Sequence, residues 1–320
     1  MCGFFCCLSN ESFNRTEINK FDKCANLLEH RGRDSNQKLN DNYYYFKSFR
    51  HKILDLSDNG NQPFVDNNKR FLIVFNGIIF NHLDIRKEII KKNNQKFIST
   101  CDTETILYGY IFFGKSIFSM LKGYWSLIIY DLKNKEAIVS RDRFGVKPLY
   151  YIQEKDKLVY SSEIKSLKYY LSNKIALNIN QFNSYTKKGW LDHNEDTLYS
   201  NIKSVKPATY QIVKNNKIYK IENYWDYPTP SEKEINLNDV RSKIIETFEA
   251  GLISDVPFAT LLSNGIDSNV ILSVLKNSKK IDLKEIETFS ANPLGNLDDI
   301  EIIKKTSLDH RIKNNVINFD

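Results

Sequence analysis

The first chemically distinctive residue of the chain is Cys2, which stands between Met1 and Gly3. Met before a small residue is normally removed, and this would leave Cys2 with a thiol and a free α-amino group. Because an α-amino group has a pKa of about 7.7–8.0, it can take the thiol proton near neutral pH, directly or through a water. The sequence thus offers a nucleophile and its base on one residue. The alternative is an ordinary buried thiol, which is common for cysteine.

A second polar motif, SNGIDS, occupies residues 263–268. It lies between a predicted strand and a predicted helix, where backbone N–H groups and a helix N-terminus converge, an arrangement that favours phosphate binding. It is not a Walker A loop, because no Gly-Lys-Ser or Gly-Lys-Thr follows. The alternative is a polar strand-to-helix turn without a ligand.

The elements around Cys2 are predicted to be short strands with intervening helices. Helices are predicted over residues 82–92 and 102–110, the second with acidic residues in its first turn. Because the two element types mix without strict alternation, we expect an α+β layered domain. Short β-like runs separated by turns predict strands over residues 43–49, 71–75, 124–130, 137–140 and 158–161.

The elements around the second motif have a different pattern. Apolar residues at helical spacing predict a helix over 240–252. A buried strand over 257–262, a loop over 263–268, a helix over 269–276 and a strand over 286–290 should follow. This order predicts the opening of a parallel, doubly wound α/β sheet. The chain reaches Asp320 about one βαβ unit later, which is short for an independent domain.

The bulk composition narrows the class of protein. A length of 320 residues suggests two domains, and the net charge of +7 is spread along the chain without a basic cluster, so we expect no nucleic-acid partner. Five cysteines without a zinc-like spacing suggest free thiols in a reducing compartment. Apolar runs are too short or too interrupted for a signal peptide or a membrane span. We therefore expect a cytoplasmic protein without a membrane partner.

Six motifs in this order closely resemble class II glutamine amidotransferases, and most closely the glutamine-hydrolysing asparagine synthetases. They are MCG at 1–3, RGRDS at 31–35, NGIIFNH at 76–82, DTE at 102–104, RDRFGVKPLYY at 141–151 and SSEIK at 161–165. The resemblance implies an N-terminal-nucleophile αββα sandwich over residues 1–215 and a linker over 216–237. Residues 238–320 would begin an ATP pyrophosphatase-type synthetase domain.

The resemblance also implies roles in glutamine hydrolysis. Cys2 matches the nucleophile, and Asn76 with Gly77 matches the oxyanion hole. Arg50 matches the arginine that grips the substrate α-carboxylate, and Asp102 matches the carboxylate that holds the α-ammonium. Judged without the family, Arg50 is a surface charge, Asp102 is a helix cap and the Asn-Gly pair is a turn.

Other positions match the family only in part. Ile53, Leu54 and Ile78 match residues that line the substrate, but Ile78 replaces the Glu that asparagine synthetases usually carry. The related glucosamine-6-phosphate synthases have Asn-Gly-Ile-Ile there, so we expect glutamine binding to be retained. Arg33 replaces an expected Pro, with no predicted effect. We expect three further residues to support the loop beside the nucleophile, namely Arg141, Asp142 and Gly145.

For ATP, the resemblance implies that Ser263, Gly265 and Ser268 cradle the β- and γ-phosphates. Asp267 would hold Mg²⁺ on the leaving pyrophosphate, as a hard oxygen ligand. The backbone at Leu261 and Ala291 matches positions that meet adenine. Asn264 replaces the usual second glycine, and we expect it to keep the turn because Asn tolerates left-handed backbone angles.

The function that this resemblance implies is amidation of aspartate, or of a related carboxylate, with glutamine and ATP as the other substrates and no prosthetic group. AMP, pyrophosphate and glutamate would be released, and a homodimer is typical of such enzymes. The family's synthetase domain continues well beyond the equivalent of Asp320, so we expect no asparagine synthesis by this chain alone. A glutaminase that donates ammonia and a non-catalytic remnant remain as alternatives.

Overall fold

The computed structural model describes residues 2–191, 193–229, 235–278, 286–293 and 297–319. The chain divides into two compact units, Met1–Pro228 and Thr229–Asp320. No helix in the described ranges is both long enough and apolar enough to cross a membrane.

The first unit contains two six-stranded antiparallel sheets. The first sheet has the order β10-β8-β9-β1-β3-β2. Its strands in chain order are β1 (Gly3–Ser9), β2 (Ser35–Asn40), β3 (Tyr44–Arg50), β8 (Tyr150–Gln153), β9 (Lys157–Ser161) and β10 (Lys203–Ser204). The second sheet has the order β12-β11-β7-β6-β5-β4. Its strands are β4 (Phe64–Val65), β5 (Phe71–Ile79), β6 (Gly123–Asp131), β7 (Glu136–Arg141), β11 (Thr209–Lys214) and β12 (Lys217–Asn223).

Helices cover the outer face of each sheet. α1 and α5 pack on the first sheet, and α2 and α3 pack on the second. An Asn14 capping box with Glu17 starts α1. The helices of this unit are α1 (Arg15–Asn26), α2 (His82–Asn93), α3 (Asp102–Phe113), α4 (Ile117–Met120), α5 (Ile164–Leu171) and α6 (Ile179–Lys188).

The core separates into three apolar layers, and strand alternation creates them. Phe4, Cys6 and Leu8 of β1 meet Leu72 and Val74 of β5 between the two sheets. The intervening β1 residues face α1 and α5, while the intervening β5 residues face α2 and α3. All seven residues of β1 are buried, as expected for a strand covered on both faces. The unit is therefore an αββα sandwich, as predicted.

One local prediction in this unit is wrong. The Asn76-Gly77 pair is not a turn: it continues β5, opposite Ser126 and Trp125 of β6. The strand can run on because tertiary pairing with the nine-residue β6 outweighs the local turn preference of Asn-Gly.

The end of this unit also differs from the predicted linker over 216–237. β12 (Lys217–Asn223) lies inside that range and pairs with β11 (Thr209–Lys214). Asn215 and Asn216 connect the two strands, both with positive φ, the conformation that a tight hairpin turn requires and Asn tolerates. β11 and β12 thus form a hairpin, and its second strand belongs to the sandwich.

The second unit carries a small parallel sheet of order β13-β14-β15, as the α/β prediction required. Its strands are β13 (Ala259–Leu261), β14 (Glu287–Pro293) and β15 (Lys313–Phe319). Its helices are α7 (Leu237–Gly251), α8 (Ile266–Asn277) and α9 (Leu297–His310). The buried strand predicted over 257–262 is shorter, and Leu261 is 78% exposed. α8 begins at Ile266, three residues earlier than predicted.

Candidate active site

A cavity of about 350 Å³ opens at one end of the sandwich, beside the start of β1. It brings together residues from six separate segments of the chain. The predicted nucleophile, Cys2, lies on this cavity. So do all seven residues predicted to bind glutamine: Arg50, Ile53, Leu54, Asn76, Gly77, Ile78 and Asp102. The remaining lining residues are His51, Gln62, Phe75, Cys101, Thr103 and Lys147.

Cys2 is positioned by the strand that follows it. It continues the alternation of Phe4 and Cys6, and therefore extends the layer between the two sheets. The His51 N–H lies 3.4 Å from the Cys2 Sγ, and the Sγ lies 3.8 Å from the His51 carbonyl oxygen. Burial raises the pKa of the Cys2 thiol, and the His51 N–H opposes this effect. The sulfur therefore needs a base and positive charge to react as a thiolate.

Arg31, from the RGRDS motif, holds the backbone of this residue. Its Nε donates to the Cys2 carbonyl oxygen at 2.9 Å, and its Nη1 pairs with Glu163 at 2.8 Å. The side chain crosses Gly3 so closely that a Cβ there would lie 2.8 Å from the Arg31 Cδ. Gly3 thus lets Arg31 and Glu163, from two of the motifs, fix the start of β1.

Asn76 and Gly77 present hydrogen-bond donors to the cavity. Asn76 follows Leu72 and Val74 on the face of β5 between the sheets, is only 1% exposed, and its Nδ2 has no hydrogen-bond partner in the described structure. A buried amide without an acceptor is costly, so its presence on a cavity points to a ligand.

The Gly77 N–H is directed away from β6 by the alternation of the antiparallel ladder. On the same edge, the N–H of Phe75 donates to the Gln62 Oε1 at 2.7 Å, and the N–H of Ile79 donates to an Asp102 carboxylate oxygen at 3.0 Å. Gly77 lies between them on the cavity wall. A Cβ at Gly77 would lie 2.1 Å from the Tyr124 carbonyl oxygen, so only glycine fits here.

Asp102 is the first residue of α3 and is 4% exposed. Burial raises the pKa of Asp102 to about 6, against the opposing effect of its hydrogen bond from Ile79. At neutral pH it supplies a negative charge at the helix N-terminus, inside the cavity. The predicted helix start is confirmed, but Asp102 is not the cap of α3: the N-cap is Cys101, and no side-chain cap hydrogen bond is made there.

Arg50, at the end of β3, is buried and not a surface charge as its residue type alone would predict. Its Nη1 donates to the Ser57 carbonyl oxygen at 2.8 Å and to the Asn61 Oδ1 at 3.0 Å. Its Nη2 donates to the carbonyl oxygens of Leu54, at 3.0 Å, and Asp55. Arg50 thus holds the loop that carries Ile53 and Leu54, besides placing positive charge on the cavity.

The RDRFGVKPLYY motif forms a loop that is fixed by its own first residues. The fully buried Asp142 carboxylate accepts four backbone N–H bonds, from Trp125, Phe144, Val146 and Lys147, at 2.9–3.2 Å. The Arg141 guanidinium donates to the carbonyl oxygens of Gly145, at 2.6 Å, and Lys147, at 2.9 Å. Gly145 has φ of 66°, which the tight loop requires.

Six of the lining residues were not predicted from the sequence to contact the substrate. Gln62 is the most informative, because its amide donates to Thr103 at 3.0 Å and accepts from Phe75, so it joins β5 to α3. Neither its residue type nor its surroundings in sequence signal this. His51 follows Arg50 and Lys147 lies within the RDRFGVKPLYY motif, so the sequence held a signal for both residues.

The second motif forms the connection from β13 to α8 and closes on itself. The hydroxyl oxygens of Ser263 and Ser268 lie 3.0 Å apart, and the Gly265 N–H donates to the Ser263 Oγ at 3.2 Å. Gly265 is the N-cap of α8, and Asp267 lies exposed in its first turn. Leu261 and Ala291, at the ends of β13 and within β14, are both exposed.

Asn264 does not have a positive φ, so the expected reason for its tolerance is wrong. Its Nδ2 instead donates to the Asp299 Oδ1 at 3.2 Å, at the surface. Asp267 is the acidic residue of the loop, and the described residues include no group of three or more His, Cys, Asp or Glu side chains that could hold a metal ion.

Comparisons with known proteins agree with this geometry. Over 98–99% of the chain, the fold is similar to that of two solved structures. One is the glutamine phosphoribosylpyrophosphate amidotransferase of B. subtilis, at a TM-score of 0.51, 16% identity and 65% of that chain. The other is an allosteric regulatory enzyme of purine biosynthesis, at a TM-score of 0.52, 14% identity and 80% of that chain. The fold is that of the N-terminal-nucleophile amidotransferases.

The sequence comparisons identify the family. Residues 1–225 match the glutamine amidotransferase domain and residues 239–320 match asparagine synthase, so the chain belongs to the glutamine amidotransferase domain family. It is 28% identical to asparagine synthetase [glutamine-hydrolyzing] 1 of Bacillus subtilis over 98% of the chain. It is 30% identical to amidase chyE of Penicillium rubens over 86%. These alignments cover 49% and 42% of the two relatives, so the chain spans about half the length of the curated proteins it matches.

Proposed function

We propose that this chain hydrolyses the side-chain amide of glutamine to glutamate and ammonia, with Cys2 as the nucleophile. The observation that carries the proposal is the buried Asn76 Nδ2, which has no partner among the described residues and lies on one cavity with Cys2 and Gly77. Such donors are suited to an oxyanion that exists only during the reaction.

The reaction begins when the Cys2 α-amino group, freed by removal of Met1, accepts the thiol proton. The sulfur attacks the substrate carboxamide carbon, and the carbonyl electron pair moves to oxygen. Asn76 and Gly77 donate to that oxyanion. Its collapse expels ammonia, protonated by the α-ammonium group, and leaves a thioester between the substrate acyl group and Cys2. Water then adds to the thioester, glutamate leaves and the thiol is restored.

Recognition of the substrate follows from the charges on the cavity wall. Asp102 would bind the α-ammonium of glutamine, and Arg50 would provide the positive charge that attracts the α-carboxylate. Both Nη groups of Arg50 already donate to the 54–61 loop, so its contribution includes shaping the apolar wall. Ile53, Leu54 and Ile78 form that wall beside the methylene groups. Ile78 offers no charge to the α-ammonium, which leaves Asp102 as its carboxylate.

The test is glutamate release from glutamine without ATP, using the chain with Cys2 as its confirmed N-terminal residue. We expect release by the wild type and a loss of at least about 10³-fold in Cys2→Ala. Cys24→Ala is the matched control, because Cys24 is a buried cysteine in the layer beneath α1 and away from the cavity. Absence of release by the trimmed wild type, or equal release by Cys2→Ala, would contradict the proposal.

A second function is favoured by the match of residues 239–320 to asparagine synthase. In it, the ammonia would amidate an acyl-adenylate made from ATP and aspartate or a related carboxylate. Ser263, Gly265 and Ser268 would exchange their mutual hydrogen bonds for the phosphates, with adenine at Leu261 and Ala291. Asp267 would contribute to Mg²⁺ binding together with the phosphates, a donor set that Mg²⁺ accepts.

The second function is tested by aspartate-dependent exchange of labelled pyrophosphate into ATP. Exchange that Asp267→Asn abolishes would support it. Exchange unaffected by Asp267→Asn, or absent while glutamate release continues, would restrict the activity to glutamine hydrolysis. Glutaminase activity itself should be the same in wild type and Asp267→Asn.

A further inference from the structure

Lys147 lies on the wall of the glutamine cavity, and no step of the proposed glutamine hydrolysis uses its side chain. The residue is half-buried, and its Nζ has no hydrogen bond or ion pair with any residue in the described ranges. A lysine inside a cavity without a carboxylate partner is unusual, because burial removes water from its charge. A negative group present during the reaction would satisfy it.

The position of Lys147 is fixed at both ends of its peptide unit. Its N–H donates to the Asp142 carboxylate at 2.9 Å, and its carbonyl oxygen accepts from the Arg141 Nε at 2.9 Å. Asp142 and Arg141, which form most of the loop's hydrogen bonds, therefore also fix the backbone position from which the Lys147 side chain extends. Such support is what a preorganised charge needs.

The charges near the Cys2 sulfur come from several elements. Asp102 of α3 disfavours a thiolate, while Arg50 of β3 favours it. Arg31 binds the Cys2 carbonyl oxygen, and the adjacent His51 is paired with Asp34. The Arg50 Nη groups are already committed to the 54–61 loop.

Lys147 faces a different set of charges. Burial and repulsion from Arg31 lower the pKa of its ammonium, while attraction to Asp142 and Cys2 opposes this. Lys147 and Cys2 line the same cavity, so no protein layer separates the ammonium group from the space that the sulfur faces.

We propose that the Lys147 ammonium stabilises the negatively charged sulfur of Cys2, so that Lys147 is a positioning residue for the nucleophile. The proposal rests on the proposed glutaminase function, in which the thiol proton passes to the Cys2 α-amino group. After this transfer Lys147 adds positive charge to that of the Cys2 α-ammonium group and of Arg50, whose Nη groups are committed to the 54–61 loop. It takes up no proton and forms no bond to substrate.

The experiment measures the pH dependence of Cys2 alkylation by iodoacetamide, with the adduct located by mass spectrometry and no glutamine present. In Lys147→Met, we expect the midpoint of this profile to rise by about one pH unit. Lys147→Arg should restore the wild-type midpoint, because the charge returns. Lys133→Met is the matched control: Lys133 is exposed in the turn at the far end of the β6–β7 hairpin, so the net charge changes equally.

The kinetic counterpart is a fall in kcat for glutamine hydrolysis of about tenfold at neutral pH, with KM unchanged. An unshifted alkylation midpoint in Lys147→Met, or the same shift in Lys133→Met, would overturn the proposal, provided that melting temperatures show folded variants. A higher KM with an unshifted midpoint would also overturn it, and would assign Lys147 to the substrate carboxylate. A shifted midpoint in a chain that releases no glutamate would contradict the proposed function and leave this inference standing.

Discussion

Asp142 and Asp267 each belong to a loop that the sequence analysis selected, and the two carboxylates have opposite surroundings. Asp142 is fully buried in the sandwich and accepts four backbone N–H bonds. Asp267 is exposed in the first turn of α8. In the first unit the protein has already desolvated and oriented its polar groups, whereas in the second the polar loop bonds to itself and faces solvent.

The same contrast holds for the groups expected to contact ligands. Asn76 keeps a buried donor without a partner, while Ser263 and Ser268 bond to each other. Stored unsatisfied donors are a sign of preorganisation, because folding has already met the cost of removing water from them. The sandwich therefore has a cavity prepared for chemistry, and the loop after β13 would have to rearrange its hydrogen bonds around phosphates.

The largest expected effect tests the buried Asn76 Nδ2 as an oxyanion donor. Asn76→Ala should lower kcat for glutamine hydrolysis by about 10²–10³-fold, since one oxyanion donor is lost. Its melting temperature should change little, because the Nδ2 has no partner to lose. Ser263→Ala is the matched change in the second unit and should leave kcat unaltered. Equal kcat values for Asn76→Ala and wild type would remove the proposed oxyanion hole.

The next effect tests the scaffold. Asp142→Ala should reduce the free energy of unfolding by about 4 kcal/mol, because several buried N–H groups lose their acceptor. Asp267→Ala, at an exposed site, should change it by less than about 0.5 kcal/mol. Denaturant unfolding of the chain measures both. Similar losses for the two variants would erase the contrast between the units.

A pH profile tests the buried carboxylate of Asp102. Its pKa, raised by burial to about 6, means that protonation removes the charge that would hold the substrate ammonium as the pH falls through 6. We expect kcat/KM for glutamine to fall more steeply below pH 6 than protonation of the Cys2 α-amino group alone requires, by up to about tenfold more per pH unit, and Asp102→Asn to lose this additional slope. Glu29→Gln, at an exposed helical turn, should keep it. An additional slope unchanged in Asp102→Asn would assign the titration to another group.

The sign for stability is opposite. Because the pKa of Asp102 is higher in the folded chain, its protonated form is the one that folding favours. Its contribution to stability therefore falls as pH rises from about 4 to about 6, and ionisation at neutral pH is a cost of keeping the site charged.

The smallest expected effect concerns Asn264, which stands where the family usually has a glycine. Asn264→Gly should change the free energy of unfolding by less than about 0.5 kcal/mol, since the Asn264 φ is not positive and its side chain makes a surface hydrogen bond with Asp299. Thermal melting measures it, with Asn215→Gly, at a positive φ of 49°, as the comparison where glycine should be tolerated for a backbone reason. A loss above 1 kcal/mol would show that Asn264 shapes the loop.

The pattern of the chain was sufficient for most of the fold. The apolar and aromatic runs at 43–49, 124–130 and 158–161 predict strands correctly, because each of these strands pairs with a neighbour on both sides and the local signal agrees with the tertiary outcome. The local pattern gave a wrong prediction at Asn76-Gly77, because hydrogen bonding to β6 outweighs the turn preference of an Asn-Gly sequence. It also failed at 257–262, where an apolar run became a short, exposed strand.

For the site, residue type and position made Cys2 a candidate nucleophile beside the alternative of a buried thiol, and the resemblance to a family chose between them and supplied the residues around it. Neither could give Gln62 or Lys147 a place on the cavity, because their positions depend on contacts with residues that are distant in sequence or on the shape of a loop.

The sequence by itself determined the position of Cys2 after Met1, the β-like runs that become strands and the order of the motifs, since these depend on residue type and local spacing. Only the tertiary structure decided which donors remain without partners, which carboxylates are desolvated and which loop lies against the sulfur. These properties arise when segments far apart in the chain exclude water from one another, and no local pattern records that exclusion.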